Sequence, residues 1–178
     1  MENKQKKRVL IFSLVYYPRF VGGAEVALKE ITDRLGDNID FDMITLHLDA
    51  ALPRSERIGK VNVYRVGYVL PWFKNISAEN IPPVINLNKY LLPIFAFGKA
   101  LLLMRKKRYD ILWSMLATYH SFAALFLKVL FPRKKFLLTL QEGDPISYIK
   151  KRAALSGGMY NLVFTHADTI QTISNYLA

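Results

Sequence analysis

The segment Val9-Leu10-Ile11-Phe12-Ser13-Leu14 constrains the fold most. A strand with one face in water alternates apolar and polar residues. A run that is apolar throughout suits a parallel strand covered on both faces. Parallel strands need a crossover, usually a helix. The following residues supply one. A loop carrying Pro18 ends at Gly22-Gly23, and Ala24, Ala27, Leu28, Ile31 and Leu35 then share one helical face, with Glu25, Lys29 and Arg34 off it. Gly36 marks the stop. Phe41–Leu48 reads as the second strand and Val61–Val66 as the third. This β-α-β order opens a doubly wound α/β sheet.

Residues 67–88 read as irregular, with Pro71, Pro82 and Pro83. Asn86–Arg108 has a helical pattern, broken or started near Pro93. Asp110–Met115 reads as a strand, Ser121–Phe131 as a helix stopped by Pro132, and Lys135–Leu140 as a strand. After the polar loop Gln141-Glu142-Gly143-Asp144-Pro145, Ile146–Thr165 is helical with a weak point at Gly157-Gly158, and Asp168–Ile173 is the last strand. The 178 residues suit one domain, a three-layer αβα sandwich over 1–178. Ser174 is a good helix cap, but only four residues follow it. The expectation is the first part of a longer protein.

Composition removes several chemistries. With no cysteine there is no disulfide framework, thiolate nucleophile or Cys-ligated metal. The three histidines, His47, His120 and His166, lack the i, i+4 spacing of a helical zinc site. Gly59-Lys60 and Gly98-Lys99 are followed by Val61 and Ala100, which excludes a phosphate-binding P-loop. Leu91–Met104 is too short to span a bilayer, and Ile111–Phe131 reads better as a strand and a buried helix. The expected location is the cytoplasm. The net charge of +11 is uneven: residues 1–87 carry 12 cations and 10 acids, residues 88–178 carry 13 and 4. Such a field suits phosphate, anionic lipid or nucleic acid; no nucleic-acid motif accompanies it.

Ligands of open parallel sheets sit beyond the carboxyl ends of the strands. Four loops meet there: Val15–Gly23, Pro71–Asn80, Leu116–His120 and Gln141–Pro145. Gly22 and Gly23 open a helix, so bare amides and the positive helix end face the crevice, suiting a phosphate. Glu25 has two readings, a partner of the helix dipole or an acceptor for a sugar hydroxyl. Arg19 is either a solvated charge or an anion clamp. Gln141, Glu142 and Asp144 form a polar cluster at a strand's carboxyl end, suited to hydroxyl binding or base chemistry, with Asp144 equally suited to an Asx turn. His120 stands as a base candidate or a helix-start residue; His47 and His166 read as structural. Asp40-Phe41-Asp42 precedes its strand, at the wrong end for a metal site.

A basic tail, an apolar strand, Tyr17-Pro18, Gly22-Gly23-Ala24-Glu25 and a helix resemble the N-terminal signature of family 4 retaining glycosyltransferases, which have the GT-B fold. Asp110-Ile111-Leu112, Leu138-Thr139-Leu140 and Ala167-Asp168…Ile173-Ser174 resemble later junctions in the same order. The resemblance implies a Rossmann-like acceptor-side domain, with the donor-binding C-terminal domain not in this sequence. It implies metal-independent hexosyl transfer with retention, from a UDP- or GDP-linked sugar to a glycan or lipid-linked acceptor of the cell envelope, without a cofactor. The isolated domain is then expected to be inactive. The family often has His where Trp113 or Met115 and Gln141 stand; Gln hydrogen-bonds but cannot shuttle a proton. Family members often work at membranes, and Trp72 and Phe73 with Arg105, Lys106, Lys107 and Arg108 are candidates for docking on the inner face of the cell membrane. The opposing reading is a stand-alone module that binds a nucleotide or anionic lipid without catalysis.

Overall fold

In the computed structural model, which describes residues 6–35, 37–76, 82–83, 87–141 and 158–172, β1 (Lys7–Phe12) is the middle strand. It pairs in parallel with β2 (Ile39–Leu46) on one side and β5 (Ile111–Met115) on the other. Leu10, Ile11 and Phe12 are wholly buried. The strand period of two sends Leu10 and Phe12 into one core and Val9 and Ile11 into the other. Fully burying each such side chain contributes roughly 1.5–3 kcal/mol.

The remaining strands are β3 (Ser55–Ile58), β4 (Val61–Val66), β6 (Lys135–Leu140) and β7 (Thr169–Thr172). The sheet order is β3-β4-β2-β1-β5-β6-β7, and every pair is parallel except β3 with β4. Helix α1 (Gly23–Leu35) packs Leu28, Ala24 and Ile31 on the Ile11 face. The other face carries α2 (Asn88–Lys106), α3 (Tyr119–Leu130) and α4 (Met159–His166). The α/β sandwich expected from the pattern is therefore the observed fold. The 91–104 stretch is the body of α2, and 111–131 is β5 followed by α3. Among the described residues no helix is long and apolar enough to cross a membrane.

Strand β3 has no counterpart in the sequence reading. Its Ser-Glu-Arg-Ile run is half exposed at the sheet edge, so backbone pairing rather than burial makes it a strand. The hairpin turns at Gly59-Lys60, with Gly59 at φ +57°. Pro93 sits inside α2 instead of starting it, and Gly98 lies mid-helix at a cost of about 1 kcal/mol relative to Ala. Helices α2 and α3 run side by side, with edge-to-face rings at Tyr90–Tyr119 (5.0 Å) and Phe97–Phe126 (6.1 Å).

The two aspartates that precede strands share one task. Asp110 accepts the Arg8 amide at 2.9 Å, and its own N–H donates to the Arg8 carbonyl. Asp168 accepts the Phe136 amide at 2.7 Å, and its N–H donates to the Phe136 carbonyl. Each thereby starts its strand in register with a neighbour. Lys128, 2.7 Å from Asp168, holds that carboxyl below its usual range, with help from the Phe136 amide. Replacing Asp168 by Ala is expected to cost about 1–2 kcal/mol, because the Phe136 amide and the Lys128 ammonium both lose a charged partner. Urea denaturation of the two proteins measures it.

Candidate functional site

Loop 13–22 leaves the carboxyl end of β1 and is held from three sides. Ser13 Oγ donates to the Val15 carbonyl, and Thr45 Oγ1 to the Leu14 carbonyl. The buried Arg65 donates to the carbonyls of Tyr17 and Pro53, both at 2.8 Å. The Tyr17–Pro18 peptide is cis. Asp49, wholly buried beyond the end of β2, accepts the amides of Ala51, Asn75 and Ile76. Arg19 Nε lies 3.5 Å from Asp49 Oδ2, and Arg19 also donates to Asn75 Oδ1. Arg19 is thus neither a free charge nor an open clamp; it ties loop 13–22 to loop 71–76.

At the start of α1, Glu25 Oε2 accepts the Gly22 amide at 2.8 Å. This is the reach-back half of a capping box. It satisfies one of the bare amides and places a carboxylate beside the helix end. Glu25 thus stands at the helix end, with Oε2 engaged by the Gly22 amide. An ideal Cβ on Gly22 would stand 2.9 Å from that carboxylate oxygen. Gly23 differs. It is exposed, and a Cβ there would meet only Gln141 Nε2, at 3.8 Å. The amides of Gly23 and Ala24 belong to the first turn, which has no intrahelical acceptor for them.

Gln141 leaves the carboxyl end of β6 and donates from Nε2 to the Gly23 carbonyl at 3.2 Å. Its Oε1 is buried and without a partner among the described residues. The structure therefore brings together Gly22, Gly23, Glu25 and Gln141, while Arg19, in the same loop as Gly22, reaches Asp49 and Asn75 instead. Glu142 and Asp144 lie outside the described residues. Among the described residues no group of three or more His, Asp or Glu could hold a metal ion.

His120 is 1% exposed, and both its ring nitrogens are engaged. Nε2 faces the Met115 carbonyl, and Nδ1 is 2.8 Å from Thr118 Oγ1. Burial lowers its pKa from 6.5 to about 4, so the ring is neutral at pH 7. It locks the β5–α3 turn, where Leu116 has φ +72°. His120 is the second residue of α3. His47 bonds the Leu52 carbonyl through Nε2, and burial lowers its pKa too. His166 bonds the Leu162 carbonyl through Nδ1.

The surface grouped in the sequence as one membrane patch is split. Trp72 is 71% exposed, but Phe73 packs against the core, and both follow β4 at the carboxyl edge. Arg105, Lys106, Lys107 and Arg108 lie at the other edge, because α2 runs back along about 28 Å of the sheet. Lys107 points inward, with Nζ 2.7 Å from the buried Asp42. Tyr109 and Asn62 also donate to that carboxylate. Asp49 and Arg65 are the organising residues that sequence reasoning missed. Arg65 carried one signal, a cation inside the Val61–Val66 strand.

No protein-family model matches the chain, and no curated protein matches it in sequence. Its fold is shared with solved structures. Sucrose-phosphate synthase from Thermosynechococcus elongatus superposes with a TM-score of 0.66 at 13% identity, over 93% of this chain and 42% of that one. A second structure of that protein gives 0.64 at 12%, over 96% and 78%. That synthase has the GT-B glycosyltransferase fold. The chain spans less than half the length of the first.

Two outcomes follow from this geometry. Gly22→Ala is expected to cost about 1 kcal/mol by displacing the Glu25 carboxylate, while Gly23→Ala changes stability by less than about 0.5 kcal/mol; thermal melts separate them. Below pH 6.5 the unfolded chain takes up a proton at His120 that the folded chain refuses until about pH 4. Stability therefore falls as pH drops through that window, by up to about 1.4 kcal/mol per unit. Urea titrations at several pH values, compared with His120→Gln, check it: the variant's dependence is shallower.

Proposed function

We propose that this chain is the acceptor-side domain of a glycosyltransferase that moves a hexosyl group from a UDP- or GDP-linked sugar to a glycan or lipid-linked acceptor of the cell envelope, with retained configuration. The carrying observation is Gly23. The chain itself leaves room for a side chain there, yet the position is bare, at the positive end of α1 and at the carboxyl edge of the sheet. A bare amide lets a diphosphate approach closely. The fold shared with sucrose-phosphate synthase supports the reading at the level of architecture.

In this reading the donor's phosphates sit on the Gly23 and Ala24 amides, with Gly22 left to Glu25. Charge that develops on the leaving phosphate is stabilised by donors already aimed at it. Gln141, anchored on the Gly23 carbonyl through Nε2, holds the end of β6 against the start of α1 and so fixes the position of the Gly23 amide. Arg19 and His120 position loops. Glu142 remains the candidate for proton transfer and Asp144 for hydroxyl binding. A second domain closes over the donor, and no metal takes part.

The test is sugar transfer by the whole protein that carries this domain, with UDP- and GDP-sugars, glycan and lipid-linked acceptors, and product anomers read by NMR. Gly23→Ala is expected to lower kcat/KM by roughly tenfold or more with an unchanged melting temperature. Wild-type transfer that Gly23→Ala leaves intact would overturn the reading. So would binding of a nucleotide or anionic lipid with no transfer, which is the behaviour of a stand-alone module.

A further inference from the structure

The chain has two tryptophans in opposite situations. Trp113 is enclosed and donates from Nε1 to Thr139. Trp72, at the carboxyl edge of the sheet, is 71% exposed. An indole left in water forgoes the burial that aromatic side chains normally supply. The backbone beneath it is nevertheless firmly held. The Ala50 amide donates to the Phe73 carbonyl at 2.8 Å, the Phe73 amide to the Leu70 carbonyl at 2.9 Å and the Lys74 amide to the Trp72 carbonyl at 3.1 Å. The wholly buried Asp49 takes the amides of Asn75 and Ile76, both at 3.1 Å. Phe73 packs against the core, and Ile76 lies in it. A buried carboxylate is unfavourable unless its hydrogen bonds are met. Here two of those bonds fix a loop whose tip is an open aromatic ring. Such a loop has little conformational freedom left to lose when a ligand arrives.

Loop 71–76 shares a rim with Gly23. Arg19 donates to Asn75 Oδ1 and joins the two loops. At no more than ~3.6 Å per residue, Trp72 lies within about 11 Å of Asn75, and Arg19 within about 14 Å of Gly23, Cα to Cα. A short oligosaccharide covers a span of that order. A pyranose ring has a face of C–H groups and a rim of hydroxyls. Its complement is a flat aromatic face with hydrogen-bonding side chains at the edge. Trp72 has Lys74 and Asn75 exposed beside it. A bilayer fits this loop less well. Trp72 is the one exposed large apolar side chain of residues 71–76, and Arg105, Lys106 and Arg108 lie at the opposite edge of the sheet.

We infer that Trp72 is the platform on which a pyranose ring of the acceptor stacks, held in place on the rim through Asp49. The acceptor therefore presents a sugar to this domain, whatever carries that sugar. The inference rests on the transfer reading above and adds the residue that selects the acceptor.

The experiment is steady-state transfer by the whole protein that carries this domain, with the donors and the glycan and lipid-linked acceptors named above, for wild type, Trp72→Phe and Trp72→Ala. Trp72→Ala is expected to raise the acceptor KM roughly tenfold, the loss of one stacked aromatic face. The donor KM and the melting temperature are expected to stay as in wild type. Trp72→Phe keeps a smaller ring and is expected to recover part of the loss. Acceptor is also expected to change the tryptophan emission of wild type and not that of Trp72→Phe, because Trp113 stays enclosed. An acceptor KM unmoved by Trp72→Ala would overturn the inference while the transfer reading stands, and would leave the indole to a protein partner or a membrane. A donor KM that rises as much as the acceptor KM, or a melting temperature that falls with it, would overturn it too, since either marks a merely structural role. Absence of transfer in wild type would defeat the transfer reading and this inference together.

Discussion

A strand buried on both faces sets the terms for everything else in this molecule. With Val9, Leu10, Ile11 and Phe12 buried, β1 beyond Arg8 has no position where a polar side chain could be solvated. Unpaired polar groups there would cost several kcal/mol each. Chemistry is therefore excluded from the middle of the sheet and collects where β1, β2 and β6 end. Asp49 and Gln141 stand within three residues of the ends of β2 and β6, and Gly23 closes the loop that leaves β1.

The loops at that edge are organised by charge as well as by backbone. Asp49 gathers three amides and faces Arg19, and Arg65 reaches two carbonyls. Buried ions of this kind persist only when their hydrogen bonds are met. Asp49 takes two of its amides from Asn75 and Ile76, and Arg65, paired with Glu56 on β3, reaches the Tyr17 carbonyl, which fixes loops distant in sequence relative to one another. The result is a pre-shaped rim in which Gly23 is left open while Gly22 is closed by Glu25. Two adjacent glycines thus have different physical reasons to be glycine.

The opposite edge of the sheet solves a different problem. Asp110 and Asp168 set strand register there, and Lys107 neutralises Asp42 under α2. Lys128 and Lys134 bond backbone carbonyls there, while Arg105, Lys106, Arg108, Arg133 and Lys135 are exposed.

The residues alone made the α/β order, β1, α1, β4 and β6 legible, because unbroken apolar runs, a one-sided helical stripe and glycine stops are local signals. They also marked Gly22, Gly23 and Gln141 as loop residues at the carboxyl edge. They did not mark β3, whose polar run becomes a strand only by pairing with β4. Nor could they separate Gly22 from Gly23, or show that His120 is enclosed, since those outcomes depend on Glu25 folding back and on the Met115 carbonyl and Thr118 closing around the ring. Periodicity along the chain decided which faces are buried, because burial follows side-chain pattern. Only the tertiary structure decided how Arg19, Asp42, Asp49 and Arg65 are paired, because their partners include residues that are neighbours in space and distant in sequence.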